Sequence, residues 1–160
     1  MEGFMVSIRP RENLLHLFNE QLRHFSTDTI LFHQAVADRL GLNSTDHKCL
    51  DMILENHPMT AGKLSELTGL TTGTITGVID RLEKAGYVCR EKDAEDRRRV
   101  IIRANQEKAE RDIMKHLSSL GEAVQALFDR YDDEQIEFLI DFIKRNREIL
   151  SVETMKLKQE

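Results

Sequence analysis

An apolar stripe along the first 40 residues, with alternating three- and four-residue spacing, constrains the fold more than any other feature. The stripe consists of Leu15, Phe18, Leu22, Phe25, Thr29, Phe32, Val36 and Leu40. This spacing predicts one long helix with a narrow seam, which is stabilised by packing along another helix. Pro10 stands near the predicted start of the helix, and Gly41 stands at its predicted end.

A similar stripe returns after Asn105, which is suited to cap a second long helix. Its apolar positions recur four and three residues apart. They are Ile113, Leu117, Leu120, Val124, Leu127 and Tyr131. Asp132 and Gln135 then predict a capping box at the start of a last helix that is apolar over much of its surface. A monomer would expose these faces, so we expect a homodimer formed through residues 11–40 and 105–150.

Three short helices and two strands are predicted between the long helices. The predicted N-caps of the three helices are Ser44, Thr60 and Thr71. Residues 87–92 and 99–104 are rich in branched aliphatic side chains, which favour strands. A short helix, a glycine-containing turn, a second capped helix and a hairpin, in this order, are typical of a winged helix-turn-helix.

The predicted fold class is therefore mainly α-helical with a small β wing, as a winged helix-turn-helix flanked by long dimerisation helices. The predicted parts are an N-terminal dimerisation helix over 1–41, a DNA-binding lobe over 42–104 and C-terminal dimerisation helices over 105–160. No apolar run is long enough to span a bilayer, and the N-terminus lacks an apolar signal segment. We expect a soluble cytoplasmic protein with no membrane partner.

The fourth predicted helix has two unlike faces. Ile75, Val78, Ile79 and Leu82 form the apolar face. The other side carries Gly73, Thr74, Thr76, Gly77, Asp80, Arg81 and Lys84. Each glycine on an exposed helix costs roughly 1 kcal/mol relative to alanine, so their presence favours close approach of the backbone to another surface. Threonine and arginine side chains there can bond to phosphates and base edges.

Thr71 and Thr72 open this helix, and two interpretations of them remain open. They can bind a DNA phosphate through hydroxyl and backbone N–H groups, or they can serve only to cap the helix. Residues 60–103 carry a net charge of +2 in a chain whose net charge is −5. This segment is therefore the expected contact for a polyanion, although an ordinary mixed surface is the alternative.

The predicted hairpin tip, DAEDRRRVIIR over residues 93–103, gathers arginines in an acidic protein. Arg97, Arg98 and Arg99 stand together, and at least one guanidinium should project into solvent. Planar arginine suits a narrow, electronegative minor groove of DNA. Asp96 is suited to brace the turn and hold the arginines in place. The alternative is a solvated charged turn.

Residues 60–103, TAGKLSELTGLTTGTITGVIDRLEKAGYVCREKDAEDRRRVIIR, resemble the winged helix-turn-helix of the MarR (multiple antibiotic resistance regulator) family. The recurring pieces are an ELA-like third helix, here SEL, an apolar helix ending in DRLEKAGYV, and a wing of the D-x-x-D-R-R type. Together these pieces are highly specific. The flanking long helices match the family plan too, so the resemblance covers nearly the whole chain.

The resemblance implies a dimer with interleaved helices one, five and six, and with helix four in a major groove. It also implies that the arginine two positions after the wing aspartate, Arg98 after Asp96, reads the flanking minor groove. This sequence departs from the family pattern at three places. Ala94 stands where proline is common, Ala104-Asn105 replaces Leu-Thr, and Lys108 stands where glycine is frequent.

Members of the family often release DNA when a small aromatic acid or drug binds between the dimer helices and the DNA-binding lobe. By that resemblance, a small aromatic effector is a candidate partner, and Thr29 and His33 are candidates to line its pocket. Thr29 interrupts the apolar stripe, and His33 follows one turn later. A hydrogen-bonded threonine within the core is the alternative interpretation of Thr29.

Other members sense oxidants through a cysteine or zinc through His and Glu, but neither site is predicted here. Cys49 lies on the apolar face of helix two and Cys89 in a strand, so both should be buried thiols without a lowered pKa. The six histidines include no pair four residues apart. We predict no metal and no cofactor, because a metal site would require side chains that only the tertiary fold brings together.

The predicted function is sequence-specific DNA binding by a transcriptional regulator. We expect a repressor that binds a pseudo-palindromic double-stranded operator as a homodimer and is released by a small-molecule ligand. The alternative is a winged-helix protein-interaction module that does not bind DNA. An enzyme is not expected, since the sequence contains no nucleophile elbow, phosphate loop or HExxH motif.

Overall fold

A computed structural model describes residues 10–94, 96 and 98–158, and these residues fold into helices with one small antiparallel sheet. The elements are α1 (Arg11–Arg39), α2 (Ser44–Asn56), α3 (Ala61–Thr68), α4 (Thr72–Lys84), β1 (Val88–Lys92), β2 (Val100–Ala104), α5 (Gln106–Phe128) and α6 (Asp133–Leu157). The predicted fold class, mainly helical with a β wing, is confirmed.

The wing is the hairpin of β1 and β2, and its register runs from Val88 opposite Ala104 to Lys92 opposite Val100. Met59, in the connection between α2 and α3, adds a short bridge to this hairpin. Its N–H donates to the Ile102 carbonyl at 3.2 Å, and the Ile102 N–H donates to the Met59 carbonyl at 2.7 Å. The wing is thereby hydrogen-bonded to the start of the helix-turn-helix.

Most helix boundaries follow local capping signals. Thr60 and Thr71 cap α3 and α4 as predicted, each accepting a hydrogen bond from the backbone N–H three residues on. Asn105 does the same for α5 at 3.2 Å. The capping box at the start of α6 is also present. These side chains satisfy N–H groups that have no partner within the helix.

The predicted N-cap of α2, Ser44, is wrong. Asn43 occupies the capping position, with its Oδ1 accepting a hydrogen bond from the Asp46 N–H at 2.8 Å. Asparagine and serine cap helices about equally well, so the choice between neighbours depends on tertiary contacts. Ser44 is instead the first residue of the helix, and its hydroxyl donates to the side chain of Gln34 on α1.

Two glycines set the geometry of the helix-turn-helix. Gly69 ends α3 with φ of 72°, and Gly86 follows α4 with φ of 78°. These are left-handed backbone conformations that glycine adopts without the steric cost that a Cβ brings. They turn the chain from α3 into α4, and from α4 into the wing.

The core belongs to a contiguous part of the chain. It extends from Ala37 to Ala109 and includes residues of every helix from α1 to α5 and of both strands. The predicted buried face of α4 is confirmed, since its four apolar residues are at most 1% exposed. Leu67 of α3, by contrast, is exposed. One side of α4 thus packs against the core, and most residues on its other side are exposed to solvent.

The chain divides after Ile113 into two compact units. The first unit contains the core and the winged helix-turn-helix. The second contains the rest of α5 and all of α6, and α6 has no buried residue along its length. Across the described residues, no helix is long and apolar enough to cross a membrane.

Candidate nucleic-acid interface

One side of α4 presents hydroxyl groups and glycine to solvent. Thr71, Thr72, Gly73, Thr74 and Thr76 are all exposed. The Thr71 hydroxyl accepts from the Thr74 N–H at 3.3 Å, so it does cap the helix. The Thr76 hydroxyl donates to the Thr72 carbonyl at 2.9 Å, which leaves its oxygen lone pairs facing outward. A shallow surface of small polar side chains results.

Arg81 of α4 is held by a residue 35 positions away in the sequence. Its Nε and Nη2 each donate to a carboxylate oxygen of Asp46 at 2.7 Å. Asp46 is only 1% exposed, whereas the Arg81 side chain is about half-exposed. The hydrogen bond to Asp46 raises the pKa of Arg81 above its usual value. These two hydrogen bonds to Asp46 therefore hold the guanidinium in a fixed orientation.

Asp46 is in turn fixed by its own helix start. The Asn43 side-chain amide donates to Asp46 Oδ2 at 2.9 Å, while Asn43 Oδ1 accepts the Asp46 N–H. Asn43 therefore caps α2 and orients the carboxylate that binds Arg81. Because Asp46 and Arg81 are 35 residues apart in the sequence, no local signal predicts that they pair.

Gly77 lies beneath the Arg81 guanidinium. A Cβ at this position would stand 3.3 Å from Arg81 Nη1, a tighter contact than ordinary packing. The missing side chain therefore has an explanation within the protein, which the sequence did not reveal. Around Gly73, by contrast, a Cβ would meet nothing within 4 Å. Only Gly73 remains an open, unfilled position on this face.

Arg90 of β1 forms ion pairs with both acidic side chains of α4. It binds Asp80 and Glu83, and Glu83 also accepts the Arg90 N–H at 3.0 Å. Paired in this way, the two carboxylates repel a polyanion less than free ones would. Lys84 stands exposed at the end of the same helix.

The wing tip presents Arg98 to solvent, with its side chain 94% exposed. Asp96 Oδ1 accepts from the Arg98 backbone N–H at 3.0 Å and lies 3.4 Å from its Nε. Arg99 Nε is 4.0 Å from Asp93 Oδ2. Arg97, also predicted to contact DNA, lies outside the described residues. Asp96 is thus in contact with both the backbone and the side chain of Arg98.

Thr29 and His33, the predicted effector-pocket residues, are both exposed in the single chain. The Thr29 hydroxyl donates to the Phe25 carbonyl at 2.7 Å, so it is hydrogen-bonded but does not belong to the core. The His33 ring lies 5.7 Å from the buried ring of His47, measured between centroids. A tertiary contact of His33 with α2 was not expected from the sequence.

The two cysteines differ from each other. Cys49 is buried as predicted, but the prediction for Cys89 is wrong, since Cys89 is exposed. In β1 the residues alternate between faces, and Val88 takes the core-facing position next to it. Burial, followed by a neighbouring carboxylate, raises the pKa of each thiol above its usual value. Neither has the lowered pKa of a reactive thiolate.

A cluster of ligand-type side chains forms where none was predicted. His33 of α1 and His47 and Asp51 of α2 bring their ligand atoms within 4.8 Å of one another. The four-residue spacing of His47 and Asp51 was the one signal in the sequence. His33 comes close only through the packing of α1 on α2.

Known proteins resemble this chain along most of its length. A model of the MarR family matches residues 42–100. An uncharacterized HTH-type transcriptional regulator, YcgE of Bacillus subtilis (strain 168), is 45% identical over 139 residues, which cover 86% of this chain and 88% of the relative.

Solved structures share the fold at lower identity. A MarR family protein from Bacillus stearothermophilus is 22% identical, with a TM-score of 0.68 over 89% of this chain and 99% of that one. A mutant of S. aureus MepR bound to an oligodeoxyribonucleotide is 17% identical, with a TM-score of 0.57 over 83% of this chain and 97% of that one.

Proposed function

The chain belongs to the MarR family of transcriptional regulators, and we propose that it is a homodimeric repressor of a pseudo-palindromic operator. DNA binding itself follows from the family. The observation that carries the finer proposal is the exposed face of α4, which is rich in hydroxyl groups and is followed in the chain by a wing with an exposed arginine. A dimer with two such faces would cover two half-sites about one helical turn apart.

The exposed apolar surface supports the dimer. Large apolar side chains that are at least 60% exposed lie in both predicted dimerisation regions. They are Phe25, Ile30, Leu31, Phe138, Ile149, Leu150 and Leu157. Monomeric proteins rarely leave so much apolar surface in water, and a second copy with the same surface would cover it.

In the proposed complex, α4 lies in the major groove. Its exposed hydroxyls, on Thr72, Thr74 and Thr76, would bond to base edges, while Thr71 would contact a phosphate at the helix start. Gly73 allows the backbone to come close, and Gly77 makes room for Arg81. Arg81, already oriented by Asp46, and Lys84 would neutralise phosphates along the groove.

The wing would contact the adjacent minor groove through Arg98, with Asp96 as its brace. Asp96 holds the backbone of Arg98 while the side chain is 94% exposed, so the guanidinium can enter a narrow groove by giving up at most its 3.4 Å contact with Asp96. Arg97 and Arg99 would add positive charge beside it. Occupying the promoter in this way would exclude RNA polymerase, which is the proposed means of repression.

Release by a small aromatic effector is part of the proposal. Thr29 and His33 lie on the same side of α1 as its apolar stripe, so they are the proposed contacts for it. A ligand there would act by binding one arrangement of the dimer more tightly than another. Its effect would be seen as weaker operator binding when the ligand is present.

Gel shifts with the DNA upstream of the protein's own gene, at two salt concentrations, test the proposal. Specific binding should be lost more slowly with added salt than binding to a scrambled fragment of equal length. Sedimentation of the same sample should give twice the 18.5 kDa chain mass. A chain that sediments as a folded dimer and binds neither fragment at low salt would contradict DNA binding and favour a protein-interaction module.

A further inference from the structure

Three side chains that commonly bind transition metals converge where α1 packs on α2. His33, His47 and Asp51 each place one ligand atom within 4.8 Å of the other two. His47 and Asp51 share a face of α2 because they are four residues apart. Metal–ligand bonds of about 2.0–2.2 Å in a tetrahedral site put neighbouring ligand atoms about 3.3–3.6 Å apart, so side-chain rotation must bring these atoms closer by up to about 1.5 Å.

The burial of His47 is a second, independent observation. This residue is 4% exposed, and its Nε2 is buried without a hydrogen-bond partner among the described residues. Buried polar atoms are nearly always partnered, so an orphaned imidazole nitrogen needs an explanation.

The surrounding side chains compete only weakly for the ligand atoms of Asp51 and His33. Lys48 is the one ion-pair partner near Asp51 among the described residues, and its Nζ is 4.0 Å from Asp51 Oδ2. That pair is long, and the lysine side chain is 66% exposed, so it competes weakly for the carboxylate. His33 is exposed and free to turn toward His47.

We propose that His33, His47 and Asp51 bind one divalent transition metal ion, Zn²⁺ in the first place. Two imidazoles and one carboxylate suit Zn²⁺, Co²⁺ and Ni²⁺, whereas Ca²⁺ and Mg²⁺ prefer oxygen ligands alone. Three protein ligands leave one position of a tetrahedral site for water. The ion would pin α1 to α2, because His33 belongs to one helix and the other two ligands to its neighbour.

Titration of the full-length, chelator-treated protein tests the site without DNA. Co²⁺ should produce visible absorption bands that saturate at about one ion per chain and disappear when Zn²⁺ is added. The variants His33→Ala and Asp51→Asn should each weaken binding at least tenfold, since loss of a ligand exceeds the effect of losing an outer-shell partner. Zn²⁺ should raise the melting temperature of the parent and not that of His33→Ala.

His24 provides the matched control. It lies on α1 four residues after Glu20, with Nε2 3.8 Å from Glu20 Oε1, but no third ligand completes a cluster there among the described residues. His24→Ala should therefore bind Co²⁺ as the parent does. His33 and Asp51 lie outside the core, so circular dichroism should show their variants to be folded. The site is refuted if the parent binds no ion, or binds no more tightly than His33→Ala and Asp51→Asn.

Discussion

α4 and α6 are both helices with abundant apolar residues, and they place those residues in opposite environments. Ile75, Val78, Ile79 and Leu82 of α4 are at most 1% exposed. In α6, Phe138 and Leu150 are more than 60% exposed, and no residue is buried. The two helices therefore differ in where their stabilising contacts come from, and not in how apolar they are.

The packing of α4 is complete within one chain, whereas burial of the apolar residues of α6 requires a second chain. α4 has its full set of partners within the first unit, so its exposed face is presented on a rigid base. α6 offers surface whose burial would stabilise the protein by about 25 cal/mol for each Å² removed from water. We expect the apolar surface of α6 to be buried in the proposed homodimer. Four experiments test the difference between α4 and α6.

The largest effect is expected in the core under α4. Leu50→Ala should lower the free energy of unfolding by about 2–5 kcal/mol, because the side chain is fully buried and its loss leaves a cavity. Leu67→Ala is the matched control, at a position that is 42% exposed and outside the proposed dimerisation helices, and it should cost about 1 kcal/mol or less. Urea unfolding measures the change in unfolding free energy for both variants. Equal changes would contradict the expected difference between the buried and the exposed position.

The next effect concerns the open surface of α6. Leu150→Glu should weaken dimerisation by about 1.5–3 kcal/mol for each subunit, the value of burying one leucine, and leave the helix content unchanged. Analytical ultracentrifugation over a range of concentrations measures the shift. Lys144→Glu adds the same acid at an exposed polar position of α6 and should leave the dimer intact. A Leu150→Glu variant that dimerises like the parent would place the interface elsewhere.

A smaller effect is expected from the ion pair that supports the face of α4. Arg81→Ala leaves the buried Asp46 carboxylate without its partner and should cost about 1–2 kcal/mol, less than a fully buried pair because the guanidinium is half-exposed. A double-mutant cycle with Asp46→Ala should give a coupling of similar size. Arg145 of α6 pairs with Asp141 at 2.7 Å on the exposed helix. Arg145→Ala should leave the unfolding curve unchanged.

The smallest effect on stability is expected at the wing tip. Arg98→Ala should not move the urea midpoint, since its side chain is almost wholly exposed. It should weaken operator binding across many sequences and reduce the salt dependence by about one counterion per subunit. Arg99→Ala is the comparison and should weaken binding less. If the affinity and the salt dependence of Arg98→Ala equal those of the parent, the wing arginines form only a solvated charged turn and do not contact DNA.

Features with a local signal were predictable from the sequence. The caps Thr60, Thr71 and Asn105 act on N–H groups only three residues away, so the sequence carries the whole interaction. The buried face of α4 follows from helical periodicity, which places apolar residues on one side whatever lies beyond. The exposure of Arg98 follows from its place in a hairpin tip.

Features that depend on distant partners were not predictable. Asp46 binds Arg81 across 35 residues, and nothing near either residue marks the pair. Gly77 was interpreted as a site of approach to DNA, because the guanidinium above it cannot be seen in one helix. Cys89 was placed inward since alternation in a short strand fixes two faces but does not say which one meets the core. His33 and His47 come close only because α1 packs on α2, which the sequence near either residue does not indicate.

The contiguity of the core has a consequence for synthesis of the protein. Every buried apolar residue of the core cluster lies from Ala37 to Ala109, so the residues that pack under α4 are all present once that stretch has left the ribosome. Domains fold as units during translation, at about 5–20 residues per second. α6 follows this stretch in the chain, so the core can form before α6 is synthesised. The apolar residues of α6 contribute nothing to that core, and they stay exposed until a second copy covers them in the proposed dimer.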